Sequence, residues 1–198
     1  MNKSRLKIWE LSLLIALCLS LCAGAWAQAR QEELSASLVR LHVIAVSDDE
    51  TEQRIKLDVR DAVLSYMAPR LDGARSAEEA RRILNAELDG IAEAAREVSR
   101  GRPVSVTLSR EYYPTRLYEG FALPAGEYES LRVVLGEGRG HNWWCVVFPP
   151  LCVSAAEQRR ALDTMSGELR GIVSDDEGGY VIRFRIVELW GELRRLVG

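Results

Sequence analysis

The chain has 198 residues, 47% hydrophobic and 28% charged, with a formal net charge of −3. That balance excludes a disordered or low-complexity chain and allows an ordinary apolar core. It gives no electrostatic reason to bind nucleic acid, which needs a concentration of Lys and Arg.

Met1 to Ala27 has the form of an export signal. Lys3, Arg5 and Lys7 make a basic start, Leu11 to Leu21 is an apolar run interrupted by two serines, and Ala25-Trp26-Ala27 offers a small-x-small cleavage site. The mature chain is then expected to start at Gln28. The competing reading is a retained anchor, for which the 17 residues from Leu11 to Ala27 are at the lower limit of length. A lipoprotein site at Cys22 fits poorly, because Leu21 stands where a small residue is wanted. Removing residues 1–27 takes away three bases and one acid, moving the net charge from −3 to −5. Cys18 and Cys22 leave with it, so Cys145 and Cys152 are the only cysteines of the mature chain. An even count in an oxidising compartment favours a Cys145–Cys152 disulfide over two buried thiols.

Residues 28–153 read as one main domain. Leu38 to Val46 (LVRLHVIAV) begins with alternation and ends as a continuous apolar run, as in a strand buried on both faces. Ser47-Asp48-Asp49-Glu50 has the capping-box form and predicts a helix from about Asp48 to Met67. Ile55, Val59, Ala62, Val63, Tyr66 and Met67 form its apolar stripe, with Arg54, Lys56, Asp58, Arg60 and Asp61 outward. The acids Asp48, Asp49, Glu50 and Glu52 read as capping and solvation, since no spaced glycine bends them into a cation loop. Pro69 to Arg75 is a predicted turn. Ser76-Ala77-Glu78-Glu79 repeats the capping box, and apolar positions from Ala80 to Val98 keep helical spacing to an exit at Gly101.

Pro103 starts a strand in which Val104, Val106 and Leu108 alternate with Ser105, Thr107 and Ser109. Tyr112 to Gly120 reads as extended and Leu123 to Tyr128 as a turn. Leu131, Val133 and Leu135 alternate into a loop at Gly136, and Asn142 to Phe148 is expected to return as the partner strand. The result is an α+β fold: an antiparallel sheet with two long amphipathic helices packed on one face, plus a C-terminal helix. Residues 154–179 form a polar connection, and 180–198 a short strand followed by a helix from about Ile186.

The segment Gly136 to Cys152, GEGRGHNWWCVVFPPLC, concentrates glycines, paired tryptophans, a diproline and two cysteines in seventeen positions. Pro149-Pro150 fixes two φ angles and removes two donors, so the chain must reverse there if the cysteines pair. By a chain-entropy argument so short a ring stabilises the fold by about 2.5 kcal/mol. Gly136, Gly138 and Gly140 resemble a phosphate loop, but they open a β-rich run instead of a helix. Cys145 with His141 or His42 as base would make a thiol nucleophile; export, a second cysteine and the lack of an acid to orient His141 favour the disulfide. His42 and His141 lack metal-ligand spacing, and Glu127, Glu129 and Glu137 read as surface carboxylates. No catalytic residue, metal or cofactor is therefore assigned. On a strand Trp143 and Trp144 face opposite sides, which leaves one of them for a partner.

Leu38 to Glu50, Ile55 to Tyr66, Leu123 to Cys152 and the closing IVELWG (Ile186 to Gly191) resemble the stage II sporulation protein R family; Val46 stands where the family pattern has asparagine. The resemblance implies a non-enzymatic signalling protein, made in the forespore and exported to the space between forespore and mother-cell membranes. There such proteins trigger a membrane-embedded aspartic peptidase of the mother cell, which processes pro-sigma-E. The expected contact residues are His141, Asn142, Trp143 and Trp144. The alternatives are an extracytoplasmic thiol-dependent or wall hydrolase using Cys145 and His141, and a non-catalytic wall-binding module.

Overall fold

The computed structural model describes residues 3–118 and 121–151, and divides the chain into two units, Met1–Glu33 and Leu34–Gly198. The first unit is helical. Helix α1 (Lys3–Ala36) runs without a break past Ala27. Its apolar part, near the N-terminus, is long enough to cross a membrane, a test that a signal sequence also passes.

In the second unit the strand β1 (Val39–Ile44) is followed by helix α2 (Glu50–Leu71), helices α3 (Ala77–Ala86) and α4 (Leu88–Val98), and strands β2 (Val104–Tyr113), β3 (Arg116–Tyr118), β4 (Phe121–Leu123), β5 (Gly126–Leu135) and β6 (Asn142–Phe148). The class is α+β, as expected. The sheet is mixed, which corrects the antiparallel expectation: its order is β2-β5-β1-β6, with β1 parallel to β5 and antiparallel to β6. The expected pairing of β5 with β6 does not form, because β1 lies between them. β1 is buried at every residue but the half-buried His42, which suits the centre of a sheet, and there it displaces the hairpin partner. The loop from Gly136 to His141 consequently crosses the end of β1, where the Arg139 and Gly140 amides donate to the Val46 and Ala45 carbonyls at 3.3 and 2.9 Å.

Odd positions Leu41, Val43, Leu131, Val133, Cys145 and Val147 face the helices and pack with Ile55, Val59, Val63, Met67, Leu84, Ile91 and Ala95. The α2 stripe thus follows the expected spacing with one exception: Lys56 is buried. Its ammonium reaches Gln53 Oε1 at 2.6 Å and the His141 carbonyl at 3.1 Å, which compensates the desolvation. Burial lowers its pKa, with Arg60 adding to the shift and Asp48 opposing it.

Two helix boundaries also differ. Ser47 does not cap α2; its hydroxyl turns to Asp49, while Gln53 reaches back to the Ser47 carbonyl at 2.8 Å, and the helix continues through Pro69 to Leu71. Ser76 caps α3 as expected, accepting from the Glu79 amide at 3.2 Å. The helix expected to continue to Val98 is interrupted at Glu87, whose side chain is held by the Tyr66 hydroxyl and Arg70 at 2.8 and 3.0 Å. Glycine at position 90 lets α4 approach α2, since a Cβ there would overlap the Tyr66 ring.

After Phe148 the chain reverses at the diproline, and the Leu151 amide donates to the Val146 carbonyl at 3.4 Å. The polar connection 154–179 and the C-terminal strand and helix of 180–198 lie outside the described residues.

Candidate partner-binding site

The sheet face opposite the helices carries a second buried cluster, in which Leu34, Leu38, Leu123, Val146 and Leu151 pack with Tyr113 and Tyr128, and beside it a polar and aromatic layer. The even positions of β1 place Arg40 and His42 there, where Tyr128 and Ser130 of β5, Glu111 and Tyr113 of β2, and Trp144 of β6 meet them. His42 is bridged: Nδ1 is 3.2 Å from Glu111 Oε2 and Nε2 is 3.0 Å from Asn142 Oδ1. Its ring stacks on Trp144 with centroids 5.5 Å apart. Ser130 Oγ donates to Glu111 Oε2 at 2.6 Å and is 2.7 Å from the Tyr113 hydroxyl; Arg132 adds an ion pair to Glu111 at 3.3 Å. Burial raises the Glu111 pKa, but bonds from His42 and Ser130 and the charges of His42 and Arg132 outweigh it, so the net shift is downward. Burial also drives the Tyr113 hydroxyl far above its ordinary pKa. On the outer side of Trp144 the Arg116 guanidinium lies 3.6 Å from the ring.

Sequence reasoning named His141, Asn142, Trp143 and Trp144, and they occupy different surroundings. His141 is exposed; its ring Nδ1 and its amide both meet Asp48 Oδ1 at 2.6 Å, and its carbonyl accepts from Lys56. Asn142 holds His42. Trp143 is 36% exposed and lies under the Arg60 guanidinium, 4.4 Å from its ring. Trp144 is on the other face, half-buried between His42 and Arg116. The pair therefore splits across the sheet as alternation requires. Cys145 is buried beside Leu41 in the helix-facing core, and Cys152 lies outside the described residues.

The acids of the α2 entry are taken up locally: Asp48 by His141, Glu50 by Arg54 at 3.5 Å and Glu52 by Arg102 at 2.6 Å. Glu137 pairs with Arg139 in the loop. Among the described residues no group of three or more His, Cys, Asp or Glu is arranged to hold a metal.

Sequence reasoning missed the network around Glu111, Ser130 and Arg116, and weighed His42 only as a base or ligand. The signal was present in LVRLHV, where Arg40 and His42 alternate with Leu41 and Val43. Two polar residues on one face of a strand expected to be buried imply a polar layer over it.

An α+β domain with a mixed sheet, helices on one face and an arginine–histidine–tryptophan layer on the other is thus the class defined here. Residues 35–158 match the stage II sporulation protein R family (spore_II_R), and the chain belongs to it. Stage II sporulation protein R of Bacillus subtilis (strain 168) is 40% identical over 118 residues, covering 58% of this chain and 53% of that protein. The match therefore spans about half the length of that relative. No solved structure matches the chain.

Proposed function

We propose that this chain is a secreted sporulation signal that activates a membrane-embedded aspartic peptidase in the neighbouring mother cell, leading to processing of pro-sigma-E. Membership of the sporulation family over residues 35–158 is the observation that carries this reading. The apolar N-terminal helix supports export, and the site of action is extracytoplasmic, between the forespore and mother-cell membranes. The chain acts by binding: it stabilises the active state of its receptor. Of the four expected contact residues, His141 and Trp143 offer the exposed contact surface, while Asn142 and Trp144 support it through His42. Asp48 and Lys56 pin the loop that presents them, and a Cys145–Cys152 disulfide closes its far end.

Co-expression of the chain with the receptor peptidase and its precursor substrate tests the reading. Processing should depend on the chain; equal processing in its absence would refute it. The hydrolase alternative is disfavoured by geometry, because Cys145 lies in the helix-facing core while the His141 ring is turned to Asp48 at the surface. Mass spectrometry of the non-reduced protein decides it further: a quantitative Cys145–Cys152 bond leaves no thiol nucleophile. Retention on peptidoglycan in a pull-down would instead point to a wall-binding module.

A further inference from the structure

The apolar pattern on the helix-facing side of the sheet stops short of one end. Along β2 it runs Val104, Val106, Leu108 and then Arg110; along β5, read backwards, it runs Leu135, Val133, Leu131 and then Glu129. Arg110 and Glu129 face each other in the ladder, and Glu129 is level with Val39 at the start of β1. Helix α3 enters over this end with Ala77, whose short side chain leaves room beneath it. A cleft of about 250 Å³ results, with Glu78 and Arg81 of α3 on one side and Arg110 and Glu129 of the sheet on the other. Leu38, Val39 and Ala77, all nearly buried, supply its apolar part.

The four charges are not treated alike. Arg81 grips Glu78 through two nitrogens, at 2.7 and 3.1 Å, and these bonds raise its pKa, with the charge of Glu129 adding to the shift. Arg110 and Glu129 have no ion pair with each other and no other side-chain hydrogen bond among the described residues. Opposite charges directly across an antiparallel pair ordinarily attract into contact. On the same two strands Arg132 does reach Glu111, at 3.3 Å. Here both side chains line the cleft instead, a half-buried anion beside a reachable cation. A ligand that carries both an ammonium and a carboxylate answers the two together in charge-assisted bonds, while its apolar part covers Leu38 and Val39.

We propose that this cleft binds a small zwitterion of the α-amino-acid class, with Arg110 taking its carboxylate and Glu129 its ammonium. A free amino acid and a short peptide with free ends share that chemistry. The site is at the Val39 end of β1, whereas His141 and Trp143 are at the Ile44 end, so it is separate from the receptor-contact surface and does not depend on it.

The full chain, in detergent micelles that accommodate its apolar helix, is titrated calorimetrically at about pH 6, where free α-amino groups are protonated. The probes are L-leucine, N-acetyl-L-leucine, which lacks the ammonium, and L-leucinamide, which lacks the carboxylate. L-Leucine should bind saturably at millimolar concentration, and each analogue roughly tenfold more weakly or worse, the scale of one charged hydrogen bond. Arg110→Gln should remove the preference for L-leucine over L-leucinamide, and Glu129→Gln the preference over N-acetyl-L-leucine. Each variant should bind L-leucine roughly tenfold more weakly, while Arg139→Gln, in the loop at the other end of the sheet, should bind as wild type. Thermal midpoints within about 3 °C of wild type establish that the variants are folded. The comparison of the three probes on the wild type needs no variant. No binding of L-leucine, equal binding of the three probes, or L-leucine binding unchanged in a folded Arg110→Gln or Glu129→Gln variant would overturn the proposal. So would N-acetyl-L-leucine binding as well as L-leucine, which would reduce the cleft to an anion site. L-Leucylglycine separates the two sources: binding tighter than that of L-leucine assigns a peptide with free ends, and otherwise the ligand is a free amino acid, the site standing in both cases.

Discussion

Glu111 Oε2 lies 3.2 Å from Nδ1 of His42, while Nε2 on the far side of the same ring lies 3.0 Å from Asn142 Oδ1. The link joins β2, β1 and β6, three strands that are distant in sequence, and it fixes the first residue of β6 against the centre of the sheet.

The downward shift of the Glu111 pKa makes this link pH-dependent. A carboxyl group whose folded pKa is depressed contributes stability that is fully present above its unfolded value and is lost as the pH falls through the folded one. Glu111→Gln should cost about 1–2 kcal/mol at pH 6, the scale of charged hydrogen bonds. The gap to wild type should narrow as the pH falls below about 4.5, the ordinary carboxyl value. Urea midpoints at pH 6 and pH 3 check both parts.

Trp143 and Trp144 should separate function from stability. Trp143→Ala removes a ring at the surface and should change stability by less than about 1 kcal/mol. Its effect should fall on receptor activation, with a loss of about 2 kcal/mol, or roughly thirtyfold, if the ring is a contact anchor. Trp144→Ala takes away the ring between His42 and Arg116, and should lower stability by about 2–3 kcal/mol. Denaturation curves read beside precursor processing compare the two.

Gly140 should tolerate no side chain. An added Cβ would overlap the backbone carbonyl of Ser47, so either the loop or the end of β1 must shift. Gly140→Ala is expected to cost about 2–3 kcal/mol, on the scale of overpacking. Gly101 has φ +80° but open space around it, so Gly101→Ala should cost only the left-handed conformation, about 1–2 kcal/mol. Urea denaturation of the two variants ranks them.

The Ser76 cap offers a simpler test. Its hydroxyl accepts from the Glu79 amide, and Ser76→Ala should lower stability by about 1 kcal/mol. Ser47→Ala should cost less, because Ser47 does not cap α2 and its carbonyl still receives Gln53. Thermal midpoints of the two variants make the comparison.

Local pattern sufficed for the class and for most of the described elements, though not for Leu123 to Tyr128, which is expected as a turn and gives the end of β4 and the start of β5. Spacing of three and four placed Ile55, Val59, Val63 and Met67 on one buried stripe, and alternation placed Val104, Val106 and Leu108 on a partly buried one packed against the same core. It did not reveal strand order, because alternation states which face a residue occupies but not which strand lies beside it. The break at Glu87 was equally hidden. Propensity favours helix through that position, and the interruption is stabilised by Tyr66 and Arg70, 21 and 17 residues earlier in α2.

The segment at Gly136 to Cys152 shows the same division. Its residue types alone determined that it is a special loop followed by a strand with tryptophans on opposite faces, since Cβ direction alternates in any extended chain. Only the tertiary structure decided that β1 enters between β5 and β6. That insertion makes the loop span a strand, pins it through Asp48 and Lys56, and brings Trp144 to His42. The same insertion buries Arg40 at the middle of the sheet. Pairing energies between strands distant in sequence are set by the whole core at once, so no local stretch of the chain encodes them.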